Sequence, residues 1–195
     1  MILAPLFVCL AAGQANQATY VKDLEGLDHA SANSLHRRLH GTGMDLSTGI
    51  KSYKISYFSP RTRNPEGQQQ RLSGALFLPS RGRAKGLVVY CHGTQATRDA
   101  APSRSPKEAF GPAITFISKG FAVAMPDYLG LGDSSEVHPF PLGRINAGSA
   151  LDLIEPARKA ASDSGMPIGS PLFVSGFSEG GAVALWAVRL MEEEV

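Results

Sequence analysis

The chain has 195 residues, 43% of them hydrophobic and 18% charged, enough to bury one sizeable core and too apolar for a disordered segment. Its 19 Lys and Arg stand against 17 Asp and Glu, scattered without a basic stripe or an acidic tail, so nucleic acid is not an expected partner. One domain is the default at this length.

Met1 to Ala15, MILAPLFVCLAAGQA, is apolar up to Ala12 and ends in small residues, with Gly13 and Ala15 placed like the last positions before a signal-peptidase cut. Residues 1–15 read as a secretory signal peptide, too short for a stable membrane span, which implies a secreted or periplasmic protein. A buried first strand or a wrongly chosen start codon is the alternative, since no Lys or Arg follows Met1. Cleavage would remove Cys9 and leave Cys91 as the sole cysteine of the mature chain, so no internal disulfide is expected. Cys91 ends an apolar run and reads as a packed structural thiol.

Residues 16–49 read as an N-terminal extension. Leu24, Leu27, Leu35 and Leu39 are spaced for a short amphipathic helix, and Gly41 to Gly49 is a loop rich in Gly, Thr and Ser. Residues 50–195 read as one α/β domain. Ile50 to Phe58 and Arg71 to Leu78 are rich in β-branched, aromatic and aliphatic residues and flank a turn region, Ser59 to Gln70, with Pro60, Pro65 and Gly67, which predicts an antiparallel hairpin.

Beyond the hairpin the pattern changes. Leu87 to Cys91, Phe121 to Met125 and Leu172 to Phe177 are short, continuously apolar runs, as expected of strands covered on both faces. Lys107 to Lys119 and Arg144 to Ser164 between them are long enough for helices, with a kink or break at Pro156, and Gly180 to Glu193 closes the chain as an Ala- and Leu-rich helix. Strands alternating with helices imply βαβ units and a mostly parallel sheet.

Gly176-Phe177-Ser178-Glu179-Gly180-Gly181 lies where the last apolar run meets that helix. A nucleophilic Ser at such a junction must be held on a sharp turn so that its hydroxyl stands clear of the sheet, and the residues two before and two after it come so close that only Gly fits. Gly181 would let the helix lie against neighbouring strands. His92-Gly93-Thr94 follows the run Leu87 to Cys91. Acyl transfer builds negative charge on a carbonyl oxygen, and two backbone N–H groups aimed at it are worth about 3 to 4 kcal/mol each. Glu179, directly after Ser178, and Thr94 are the candidate donors, with His92 bracing the loop. Pro126 to Ser134 (PDYLGLGDS) follows the run Phe121 to Met125, and its Asp127 reads as a residue that ties loops together. No metal-ligand cluster or phosphate-binding loop is visible, so neither metal nor cofactor is implied.

Taken in order, VVYCHGT, KGFAVAMPDYLGLGDS with His138-Pro139, and LFVSGFSEGGAVALWA resemble the α/β-hydrolase superfamily and, within it, the secretory lipase family and related bacterial esterases. The resemblance implies an α/β-hydrolase fold with Ser178 as nucleophile, Thr94 and Glu179 as oxyanion donors, and carboxylic esters, often lipid esters, as substrates. In this fold the acid and the His follow the nucleophile. Here the five histidines, at 29, 36, 40, 92 and 138, all precede Ser178, and Glu192 to Glu194 end a solvated helix. The expectation is therefore an incomplete α/β-hydrolase domain over residues 50–195, lacking the C-terminal strands, the catalytic acid and the catalytic His, and nearly inactive alone. A peptidase of the same superfamily, a non-catalytic hydrolase-like binding protein, and His138 as an unusual base are the competing readings.

Overall fold

The apolar runs assemble into one sheet of six strands, β1 (Tyr20–Leu27), β2 (Ile50–Arg63), β3 (Gln69–Pro79), β4 (Leu87–Cys91), β5 (Ala122–Pro126) and β6 (Leu172–Gly176), in the spatial order β1-β2-β3-β5-β4-β6. The structure, a computed structural model, describes residues 20–41, 46–63 and 67–194. The leader expected over residues 1–15, with Cys9, lies outside them. The pairs β1/β2, β2/β3 and β3/β5 are antiparallel, whereas β4 is parallel to both β5 and β6. Strands β2, β4, β5 and β6 thus share one direction, which gives the expected mostly parallel sheet with its N-terminal hairpin.

Strand periodicity distributes the core over both faces. On β3 and β5, Ala75, Phe77, Val123 and Met125 point to the face covered by α1 (His29–His40) and α2 (Pro106–Ile117), where Phe110 and Ile114 meet them. Leu72, Leu76, Leu78, Ala122 and Ala124 point to the other face, against Leu153, Ala157 and Ala160. That face is covered by α3 (Gly143–Asp152), α4 (Ile154–Asp163) and α5 (Glu179–Glu193), with Val89 and Cys91 of β4 packed on Ala147, Val183 and Ala187.

Three elements differ from the sequence expectation. The amphipathic helix suggested by Leu24, Leu27, Leu35 and Leu39 is divided: residues 20–27 pair with β2 as an edge strand, and the helix starts only after Asp28, whose carboxylate accepts the Ser31 N–H at 2.7 Å as N-cap. Strand β2 runs on through Pro60 to Arg63 with a register shift after Ser59. The shift is held from outside the strand, because Ser59 Oγ and the Arg61 N–H both donate to Asp152 Oδ2, at 2.6 and 3.0 Å. The helical stretch at 144–164 is split at Leu153, three residues before Pro156, which has no N–H to offer the Asp152 carbonyl. In addition, Glu194 does more than end a solvated helix: its carboxylate binds Arg61 of β2 at 2.7 Å.

The break at Leu153 has a packing role. Leu153 is fully buried and lies over β3 at Gly74, where a Cβ would sit 2.8 Å from Leu153 Cδ2 and 2.7 Å from the Met125 carbonyl oxygen. Leu153→Ala removes the side chain that joins the α3–α4 junction to the sheet, and is expected to cost about 2 to 5 kcal/mol, read as a lower urea midpoint with an unchanged slope.

Candidate active site

Ser178 stands at the junction of β6 and α5 with φ 54° and ψ −122°, in the N-cap position of the helix. A Ser at an N-cap ordinarily turns its hydroxyl onto the first helical N–H groups. Here no such bond forms, and the side chain is exposed. Positive φ in a residue with a Cβ costs about 1 to 3 kcal/mol and persists only where the surroundings enforce it. The enforcement is steric and local. A Cβ on Gly176 would run into the Gly180 carbonyl, a Cβ on Gly180 would run into the carbonyl of Cys91, and the Phe177 N–H donates to that same Cys91 carbonyl at 3.1 Å. Gly181, expected to allow close packing, has nothing within 4 Å of the Cβ position and faces open space.

The loop after β4 meets this turn. A Cβ on Gly93 would lie 3.4 Å from Ser178 Cβ and 3.2 Å from the Phe177 ring, so the loop passes close against the turn and a side chain at residue 93 would press on Phe177. Glu179 is the first residue of α5, so its N–H has no acceptor within its own helix. Thr94 is exposed, on the rim of a cavity of about 340 Å³ lined by Tyr90, Pro112, Met125 and Phe177. His92 Nδ1 lies 2.8 Å from the Gly93 carbonyl, which braces the loop, and burial holds its imidazole below the usual value.

Behind the turn lies a polar layer built from the loop after β5. Asp127 is fully buried and accepts from Ser103 N at 2.9 Å and from the hydroxyls of Ser73 and Ser103 at 2.5 Å each, tying β3 and two loops together. Burial pushes its carboxyl up, opposed by these donors. Tyr128 has φ 71°, stacks on the His92 ring at 4.2 Å and donates to the His92 carbonyl at 3.1 Å. His138 faces two acceptors, the Leu129 carbonyl oxygen at 2.8 Å from Nδ1 and Glu179 Oε1 at 3.0 Å from Nε2. With a partner at each ring nitrogen, the imidazole is fixed between Leu129 and Glu179. The Glu179 side chain, 4% exposed, also accepts from Asn146 Nδ2 at 3.3 Å. The sequence therefore pointed to the backbone of Glu179 and missed its carboxylate, whose partners lie 41 and 33 residues away with no local signal.

Comparison with known proteins bears on the fold. The family model of the secretory lipases matches residues 113–193. A protein of Legionella pneumophila assigned as a hydrolase is 27% identical and superposes with a TM-score of 0.80, over 90% of this chain and 47% of that one. The fold is that of an α/β-hydrolase. The rice cell wall degrading esterase LipA from Xanthomonas oryzae, 24% identical with a TM-score of 0.76 over 89% of this chain and 45% of its own, shares the fold, as does lipase A of Candida antarctica, at 17% and 0.57 over 89% and 37%. This α/β-hydrolase chain spans less than half the length of each of these structures. No curated protein sequence matches it. Among the described residues no helix is long and apolar enough to cross a membrane, and no group of three or more His, Cys, Asp and Glu could hold a metal ion.

Two substitutions separate a glycine required by close approach from one that is not. Gly176→Ala is expected to destabilise the α/β-hydrolase fold by about 3 kcal/mol, because the obstructing atom is backbone, whereas Gly181→Ala should be neutral or stabilising by up to about 1 kcal/mol, both read from thermal melts. Burial also pushes the Cys91 thiol up to about 12. Iodoacetamide at mildly alkaline pH should therefore leave Cys91 unmodified in the folded chain and alkylate it once the chain is unfolded in urea.

Proposed function

We propose that this chain is the nucleophile-bearing part of a secreted serine hydrolase that cleaves carboxylic esters, small-molecule or lipid, through an acyl-enzyme and without a cofactor. The observation that carries the reading is the backbone of Ser178, strained at φ 54° with its hydroxyl exposed and unused as a helix cap. Family resemblance and the neighbours' fold support it, and the leader sequence supports export.

In this reading Ser178 Oγ attacks the ester carbonyl carbon, and the carbonyl oxygen takes up the negative charge facing the N–H groups of Glu179 and Thr94. Collapse expels the alcohol, and water then releases the acid. The cavity beside Thr94 accepts an apolar part of the ester against Phe177, Met125 and Pro112. In this reading the general base is not one of the chain's histidines: His29, His36 and His40 lie on α1, on the sheet face away from α5, His138 is held by Leu129 and Glu179, and His92 is buried with Nδ1 on the Gly93 carbonyl. Loss of the base of a Ser triad costs about a million-fold in turnover, roughly 8 kcal/mol, so the 195-residue polypeptide by itself retains only the residual rate supplied by oxyanion donors and binding.

A fluorophosphonate probe together with p-nitrophenyl esters and aminoacyl-p-nitroanilides tests the proposal. Slow covalent capture at Ser178, absent in Ser178→Ala, with hydrolysis of the esters preferred over the anilides, is the expected result. Faster anilide cleavage would favour a peptidase, and a folded chain whose Ser178 never reacts would favour a non-catalytic binding protein.

A further inference from the structure

At the end of the sheet opposite Ser178, where β4 and β5 begin, a cleft of about 570 Å³ opens between the β3–β4 connection and the turn before β5. Its charged lining is all of one sign: Arg81, Arg83, Lys85 and Lys119, with the hydroxyl residues Thr48 and Ser118 and no Asp or Glu among the described lining residues. Arg81, Arg83 and Lys85 are near neighbours in sequence, and a tied backbone brings Lys119 to them from 34 residues beyond Lys85. Ala84 is buried and bridges Ile168, the Gly169 N–H donates to the Ala84 carbonyl at 2.9 Å, and the Lys85 N–H donates to the Gly120 carbonyl at 2.8 Å. Burial of Ala84 turns Arg83 and Lys85 on either side of it outward.

Most guanidinium groups elsewhere in the molecule are occupied. Arg61 binds Asp152 and Glu194, Arg98 donates to the carbonyls of Gly130, Ser135 and Glu136, and Arg158 donates to those of Gly169 and Ser170. In the cleft, Lys85 Nζ donates to the Lys119 carbonyl at 3.0 Å, while the side chains of Arg81, Arg83 and Lys119 have no hydrogen-bond or ion-pair partner among the described residues. Like charges held together on a fixed backbone repel, and a shared counter-anion reverses the sign of that interaction. Guanidinium groups suit the planar, two-point contact that phosphate and sulfate oxygens offer.

We propose that this cleft binds a multivalent oxyanion of the phosphate or sulfate type, either free or carried on a lipid headgroup. The site is separate from the ester-cleaving one: the five residues of β4 place about 15 Å of strand between the two ends.

Calorimetric titration of the chain with inorganic pyrophosphate at fixed low ionic strength, beside co-sedimentation with phosphatidylcholine vesicles with and without phosphatidic acid, tests the proposal. Saturable binding is expected, weakened about tenfold or more in the exposed double variant Arg81→Gln/Arg83→Gln and, independently, weakened in Lys119→Gln, with far-ultraviolet circular dichroism unchanged. Ser178→Ala should bind as the wild type does. Pelleting only with phosphatidic acid vesicles identifies the lipid source, and pyrophosphate binding without pelleting identifies the free anion. The proposal is overturned if neither probe binds, if the arginine variant binds as tightly as wild type, or if Ser178→Ala abolishes binding, which would move the anion to the N-terminus of α5.

Discussion

The close passage of the β6–α5 turn over the carbonyl of Cys91 constrains the rest of this structure. Gly180 sits against that carbonyl, the Phe177 N–H donates to it, and the pairing Cys91↔Gly176 fixes the register of β4 on β6. A shift of one residue in that register would put a side chain where only hydrogen fits and would turn the alternation of Val89 and Cys91 away from α3 and α5. The positive φ of Ser178 is thus a consequence of how two parallel strands and one helix meet. Its strain, about 1 to 3 kcal/mol, is held by the burial of Val183 and Ala187 on the inner face of α5.

Beneath the turn the chain buries the carboxylate of Asp127 and the imidazole of His92, and their titrations act on stability with opposite slopes. The carboxyl of Asp127 is raised by burial, so the folded state holds its proton more tightly than the unfolded state. Its contribution is present on the acid side and is lost as pH rises through the folded value. His92 is lowered from 6.5 by burial, so the unfolded chain binds that proton more readily, and stability is lost as pH falls below about that value. The pair Glu179–His138 joins the polar layer to the turn itself, since the residue after Ser178 is held by its side chain while its N–H stays free of the helix.

What could be read from the sequence followed from local rules. The hairpin, the buried strands and the strand–Ser–helix junction each carry a period of two, a turn residue or a required Gly, and these signals lie within a few residues of one another. Strand β1 carries none of them. It is an edge strand whose side chains at residues 21–23 stay exposed or nearly so, stabilised by backbone pairing with β2 more than by burial, so its leucines read as helical. The continuation of β2 through Pro60 depends on Asp152, which is distant in sequence, and the Glu179–His138–Asn146 contacts are likewise long-range. Lys119 joins Arg81 and Arg83 only because the β3–β4 and α2–β5 connections lie at the same end of the sheet.

Geometry and proton transfer are separable here. Every contact that shapes the Ser178 turn, from Cys91 and Gly93 through Gly176 and Gly180 to His138 and Asn146, is made within residues 91–180. The strained serine therefore rests on contacts made by β4, β6, the loop after β5, α3 and α5. Of the two imidazoles in the polar layer, His138 is bonded at both nitrogens, to Leu129 and Glu179, whereas His92 is bonded at Nδ1 to Gly93 and keeps a buried Nε2 without a partner. Freeing His138 would leave the Glu179 carboxylate buried with Asn146 alone, a loss of order 1 to 3 kcal/mol at the residue that opens α5. The bonds that set the turn thus also hold His138 between Leu129 and Glu179.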